Sequence, residues 1–183
     1  DAMETVPLAP KCGVEVKGVR LAEAEGETLQ AIKQAIYEHG VALFREQDDF
    51  TPEAHIAFAQ RWGGIDINNY FPLTDEHPEI AVVRKKADQV TNIGGAWHTD
   101  HSYDQIPAMG SILVARQLPP SGGDTLFAHM GEAYDALPDD LKAEIEGLEA
   151  FHTADHVYKE DGIYAQTDMG SELREGIEIG AEP

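Results

Sequence analysis

The chain has 183 residues, 34 acidic against 13 basic, for a formal net charge of −21, and 42 % of its residues are hydrophobic. That length and apolar content suffice for one domain with its own core. The acidic excess argues against nucleic acid or an anionic membrane surface as partner, and any anionic ligand has to be captured locally by a few Arg or Lys side chains. The single cysteine, Cys12, excludes an internal disulfide framework and a Cys-rich zinc site, is read as structural, and fits a reducing cytoplasm. No apolar run approaches the ~20 residues of a membrane span. The N-terminus lacks a basic-then-apolar signal, and a start at Asp1 suggests a trimmed beginning.

In chain order, Val14 and Val16 fall in a strand-like run over 13–18 that ends on glycine. Leu29, Ile32 and Ile36 recur at helical spacing behind Thr28 as a cap, and Gly40 stops that helix. Val41 to Phe44 reads as a buried strand. Thr51-Pro52 combines a cap with an N1 proline and opens a helix that Gly63-Gly64 ends. Further strands are expected at Ile80–Val83, around His98, at Ser111–Ala115, Asp124–Ala128 and Ala150–Tyr158. A Gly-rich loop spans Thr91–Ala96, and Pro119-Pro120-Ser121-Gly122-Gly123 is a turn of strong type. Leu141, Ile145 and Leu148 mark a helix opening near Pro138-Asp139, and after Lys159 the pattern dissolves. Few helices, short strands and Gly/Pro turns suggest an α+β protein built on a sandwich or jelly roll.

The stretch Trp97-His98-Thr99-Asp100 carries the chemistry. On a strand, side chains at i and i+2 share a face, so His98 and Asp100 can offer an imidazole nitrogen and a carboxylate oxygen to one ion. With a second histidine this donor set is the facial triad of non-haem Fe(II) oxygenases, which leaves coordination positions open for substrates. His101 alternates to the opposite face. His129, His152 and His156 are candidates for the third ligand, none at a compelling spacing. Trp97 is expected to pack beside the site, and Gly94-Gly95 reads equally as a mobile lid or a tight connection. Arg84, Lys85 and Lys86 form the only notable basic cluster, either a solvated strand end or a contact for an anionic substrate.

Trp97 to Tyr103, Pro107 to Ser111, Leu118 to Phe127 and Ala133 to Leu137 together resemble the taurine dioxygenase (TauD/TfdA-like) family of Fe(II)- and 2-oxoglutarate-dependent dioxygenases. Weaker similarity extends back through Gly13–Val19 and Val41–Arg45, so the resemblance covers most of the chain. It implies a double-stranded β-helix (a cupin-like jelly roll) with flanking helices. It implies His98 and Asp100 as iron ligands and catalytic residues, and Thr125 as a contact for one carboxylate of 2-oxoglutarate. The implied reaction couples oxidative decarboxylation of 2-oxoglutarate, with O2, to hydroxylation of a small organic substrate, releasing succinate and CO2.

In the family a distal histidine and a carboxylate-binding arginine lie downstream of the point where this chain ends. Residues 1–183 are therefore expected to form one TauD/TfdA-like domain lacking its C-terminal part, including the third ligand. Asn68 and Phe71 stand where taurine-specific members have His and Tyr, and Gly94 replaces an Asn, so taurine is a poor guess. Asn68 and Tyr103 are candidate substrate contacts. The expected partners are a small-molecule substrate and further copies of the chain, with no nucleic acid or membrane, in the cytoplasm. Two other classes compete: a truncated, non-catalytic jelly roll that binds metal or acts through interactions, and a zinc hydrolase, for which no H-E-x-x-H-type motif is present.

Overall fold

The computed structural model describes residues 2–158, 162, 163 and 167; most of the stretch after Lys159 lies outside the described residues. Its elements are β1 (Glu4–Pro7), β2 (Val14–Lys17), a 3-10 turn (Leu21–Glu23), α1 (Gly26–His39), β3 (Ala42–Leu43), α2 (Pro52–Gln60), α3 (Met130–Asp135), α4 (Asp139–Ile145) and α5 (Asp155–Tyr158). They fall into two compact units, one of Asp1–Arg61 with Leu113–Leu148, the other of Trp62–Ile112 with Glu149–Pro183. Among the described residues no helix is long and apolar enough to cross a membrane.

The first unit is built on a three-stranded mixed sheet in the order β1-β2-β3, with β1 antiparallel and β3 parallel to β2. A parallel neighbour needs a crossover, and α1 supplies it. Leu29, Ile32 and Ala35 put one face of α1 inside, and Val14, Val16 and Ala35 form a buried cluster against which Met3, Val19, Ala42 and Phe44 pack. Gly40, at φ 76°, ends α1 in a conformation that costs a residue with a Cβ about 1 kcal/mol or more. Helix α1 starts earlier than expected, with Glu25 in the cap position and no side-chain cap, so Thr28 lies inside it. Thr51 does cap α2, its hydroxyl accepting from the Ala54 amide at 3.2 Å.

Arg61, just past α2, ties this unit together. Its guanidinium donates to the carbonyls of Ala24 (2.8 Å), Leu21 and Ala22 (both 3.4 Å), and its own carbonyl accepts from Lys33 Nζ at 2.8 Å. The side chain is largely buried, so its loss leaves carbonyl oxygens without their donor. Arg61→Met should lower the unfolding free energy in urea by about 2 kcal/mol.

The second unit has less regular structure. Leu73 and Ala81 form an isolated antiparallel bridge, flanked by Val82 N→Pro72 O at 2.8 Å and Thr74 N→Ile80 O at 3.2 Å. The loop between them is closed by the Thr74 hydroxyl, which donates to the His77 carbonyl at 2.6 Å. The segments expected as strands near 98, at 111–115 and at 124–128 carry no ladder among the described residues, and residues 155–158 are helical. A strand exists only through a hydrogen-bonded partner, and alternation of residue type does not supply one. In the first unit, the helix expected from Pro138-Asp139 is α4, with Asp139 and Asp140 in its first turn where a helix N-terminus favours negative charge.

Candidate active site

The second unit holds His98 and Asp100. They sit not on a strand but where a loop enters a turn over residues 100–103, closed by Asp104 N→His101 O at 3.1 Å, with His101 at φ 55°. Upstream, Gln89 is buried and pins the loop by accepting from Lys86 N and donating to the Thr91 carbonyl, and Lys85 donates to Asn92 Oδ1. Gly94, at φ 65°, lies directly against the His98 ring, and a Cβ there would stand 3.0 Å from Cε1. Gly94 is thus a packing position for His98, which favours the tight-connection reading over the lid.

His98 Nδ1 lies 2.7 Å from the Ala96 carbonyl oxygen. A carbonyl only accepts, so Nδ1 carries the hydrogen and Nε2 is left as the free ring donor atom. Nε2 faces Asp100 Oδ1 at 3.1 Å. Two lone-pair atoms that close repel unless a cation lies between them, either a proton or a metal. Two ligand atoms each about 2.1 Å from one ion and at right angles to each other are about 3 Å apart, so the pair fits one metal without moving. The other Asp100 oxygen accepts from the Ser111 hydroxyl at 3.4 Å. Both acceptor groups are thus held by a second partner, as ligating His and carboxylate groups usually are. The side chains are 53 % and 60 % exposed, which leaves room for further ligands.

His101 points elsewhere, its Nδ1 lying 3.3 Å from Asp66 Oδ2 and 3.2 Å from Asp104 Oδ2. Asp66, His101 and Asp104 form a second gathering of possible donors, which the sequence reading missed because Asp66 is 35 residues from His101. Tyr103 lies beside the His101 ring, and Tyr70 meets Tyr103 edge-on and stacks flat on Tyr158 at 3.8 Å. Burial first, then the neighbouring Tyr158, Tyr70, Asp104 and Asp100, raises the Tyr103 hydroxyl well above the usual tyrosine range. Tyr70 is raised as well, by burial and then by Asp104 and Asp155.

A tyrosine whose pKa is higher folded than unfolded keeps its proton longer in the native state. Its stabilising contribution is complete below the unfolded value of about 10 and falls as pH rises above it. Urea denaturation at pH 9, 10 and 11 should show stability falling across this range, and Tyr103→Phe should reduce that fall.

The remaining candidates take other positions. Asn68 Oδ1 accepts from the amides of Tyr70 and Phe71, both at 2.8 Å, so it organises the turn that sets the aromatic residues. Thr125 belongs to the first unit, exposed after Gly122 and Gly123 at φ 75° and 76°, as the turn signal implied. His129 caps α3, accepting from Glu132 N at 3.3 Å. His152 pairs with the Ser102 hydroxyl at 2.9 Å, and His156 is on α5. Trp97 is 71 % exposed among the described residues rather than packed in a core.

Residues 4–177 match the family model described as taurine catabolism dioxygenase TauD, TfdA family. The chain is 31 % identical over 186 residues to the (S)-phenoxypropionate/alpha-ketoglutarate-dioxygenase of Sphingobium herbicidovorans, covering all of this chain and 64 % of that protein. It is 36 % identical over 165 residues to the alpha-ketoglutarate-dependent 2,4-dichlorophenoxyacetate dioxygenase of Cupriavidus pinatubonensis, covering 81 % and 57 %. Among solved structures, AAD-2 in complex with Mn(II) and N-oxalylglycine superposes with a TM-score of 0.61 at 31 % identity, covering 80 % of this chain and 51 % of that one. The chain thus spans about three fifths of the length of these curated relatives. With nearly the whole of this chain matched by the family model, and the His98–Asp100 pair inside the match, the chain belongs to the TauD/TfdA dioxygenase family.

Proposed function

We propose that the protein is an Fe(II)- and 2-oxoglutarate-dependent dioxygenase that hydroxylates a small organic substrate and releases succinate and CO2. The observation that carries this reading is the His98 Nε2–Asp100 Oδ1 pair at 3.1 Å, with Nδ1 committed to the Ala96 carbonyl. Iron, when bound, supplies the redox chemistry that couples the ketoacid and O2 to the substrate. The chain's own residues do the positioning. Ala96 holds the His98 tautomer that presents Nε2, and Ser111 orients the Asp100 carboxylate. Thr125 holds a carboxylate oxygen of 2-oxoglutarate through its hydroxyl. Tyr103, kept neutral, borders the substrate as a hydrogen-bond donor, and Asn68 shapes the same wall through the backbone it organises.

In this reading residues 1–183 form one domain on a double-stranded β-helix with outer helices, and the enzyme works in the cytoplasm. Self-association is part of the proposal: in the first unit Leu113, Leu118 and Leu126 are exposed apolar side chains that a second copy can cover. Light scattering on the purified full-length protein should give a mass above that of one chain.

The experiment for the activity is single: incubate full-length protein with Fe(II), 2-oxoglutarate and O2, and follow succinate. Iron-dependent succinate release supports the reading. A protein that binds Fe(II) yet never converts 2-oxoglutarate, with or without a substrate panel, overturns it in favour of a non-catalytic metal-binding role.

A further inference from the structure

The His98 ring has to be aimed by the loop that carries it. Its side chain is 53 % exposed, the neighbouring Trp97 faces out, and neither residue belongs to a strand. What fixes the ring is local: the Ala96 carbonyl accepts the Nδ1 hydrogen, and Gly94 lies against Cε1. Both residues belong to a turn over residues 93–94 and its exit. That turn is only as well placed as the segment leading into it.

That segment, residues 85–92, is closed from inside by one side chain. Gln89 is 9 % exposed and is the one buried polar residue among the described residues, whereas the next residue, Val90, is 86 % exposed. An amide inside and a valine outside is the reverse of what transfer from water favours, so the hydrogen bonds of Gln89 set the arrangement. Its backbone amide donates to the Lys86 carbonyl at 3.2 Å, its Oε1 accepts from the Lys86 amide at 3.2 Å, and its Nε2 donates to the Thr91 carbonyl at 3.1 Å. One residue thus engages both backbone groups of Lys86 and fixes Thr91. The two side-chain bonds need a donor and an acceptor at this length: glutamate lacks the donor and leucine lacks both. Lys85 donates to Asn92 Oδ1 across the mouth of the same loop, and a Cβ on Gly95 would stand 3.5 Å from the Asn92 carbonyl oxygen. Contacts therefore run from Gln89 through Thr91 and Asn92 to Gly94 and the His98 ring.

We propose that Gln89 is a positioning residue for His98, holding the loop in the shape in which the Ala96 carbonyl and Gly94 present Nε2 to the metal. This rests on the dioxygenase reading above, in which His98 binds iron, and extends it to a residue that touches neither metal nor substrate. The test titrates metal-free full-length protein with Mn(II), following the free ion by its EPR signal, in wild type, Q89L, H98A and the Q89L/H98A double variant. Q89L should weaken Mn(II) binding about 3- to 10-fold, less than the loss of a group bonded directly to a ligand. In the H98A background the same change should alter affinity less than about 2-fold, because the group that Gln89 positions is gone. Q89E keeps the acceptor for Lys86 and loses the donor to Thr91, so its affinity should lie between wild type and Q89L. Q89E takes the place of Q89L throughout if Q89L does not fold. Urea denaturation of the same samples reads stability separately, and a purely structural Gln89 would lower stability while leaving Mn(II) affinity alone. A loss in Q89L below about 3-fold, or an equal loss with and without His98, overturns the Gln89 proposal alone. H98A binding Mn(II) as tightly as wild type overturns the dioxygenase reading, whatever Q89L does.

Discussion

Full-length protein carrying His98→Ala should bind Mn(II), a redox-stable substitute for Fe(II), at least about 10-fold more weakly than wild type, and should release no iron-dependent succinate. Loss of a group that only supports a ligand already costs 10- to 100-fold in metal affinity, and removing a ligand costs no less. Asp100→Ala should behave alike, because the two donor atoms face each other at 3.1 Å and neither has a substitute at that position. His101→Ala is the control: its imidazole pairs with Asp66 and Asp104, so metal affinity should stay within about 2-fold of wild type. Isothermal titration with Mn(II) under reducing conditions reads all three. A loss of affinity in His101→Ala with none in His98→Ala would mean that the ion sits in the Asp66–His101–Asp104 cluster instead.

The second large effect concerns stability. Ile32 is fully buried on the inner face of α1. Truncation to alanine removes three carbons from a fully buried position, whose surroundings relax only partly around the cavity. Ile32→Ala should therefore cost about 3 kcal/mol, read as a lower urea midpoint with an unchanged slope. Ile36 falls on the same sequence periodicity but is not among the buried residues, so Ile36→Ala should cost clearly less.

The local signals that survive folding are those enforced by short-range chemistry. Thr51-Pro52 starts α2, Gly40 ends α1 at positive φ, and Gly122-Gly123 makes its turn, because each depends on a residue's own backbone preferences. Val14 and Val16 could be placed in a core strand because alternation and burial coincide there. Residues 111–115 and 124–128 have the composition of strands without a ladder among the described residues, since pairing is a property of two segments and is not written in one.

The site divides along the same line. His98 and Asp100 could be named from their two-residue spacing, although a loop and a turn, not a strand, bring them together. Ala96 and Ser111 could not be named, because one acts through its backbone carbonyl and the other reaches Asp100 from 11 residues away.

The most direct measurement is a crystal structure of the full-length protein grown anaerobically with Mn(II) and 2-oxoglutarate. The account predicts one ion bonded to His98 Nε2 and an Asp100 carboxylate oxygen at about 2.1 Å each, with Nδ1 still on the Ala96 carbonyl. An ion bound elsewhere, with His98 and Asp100 paired only to each other, would contradict it.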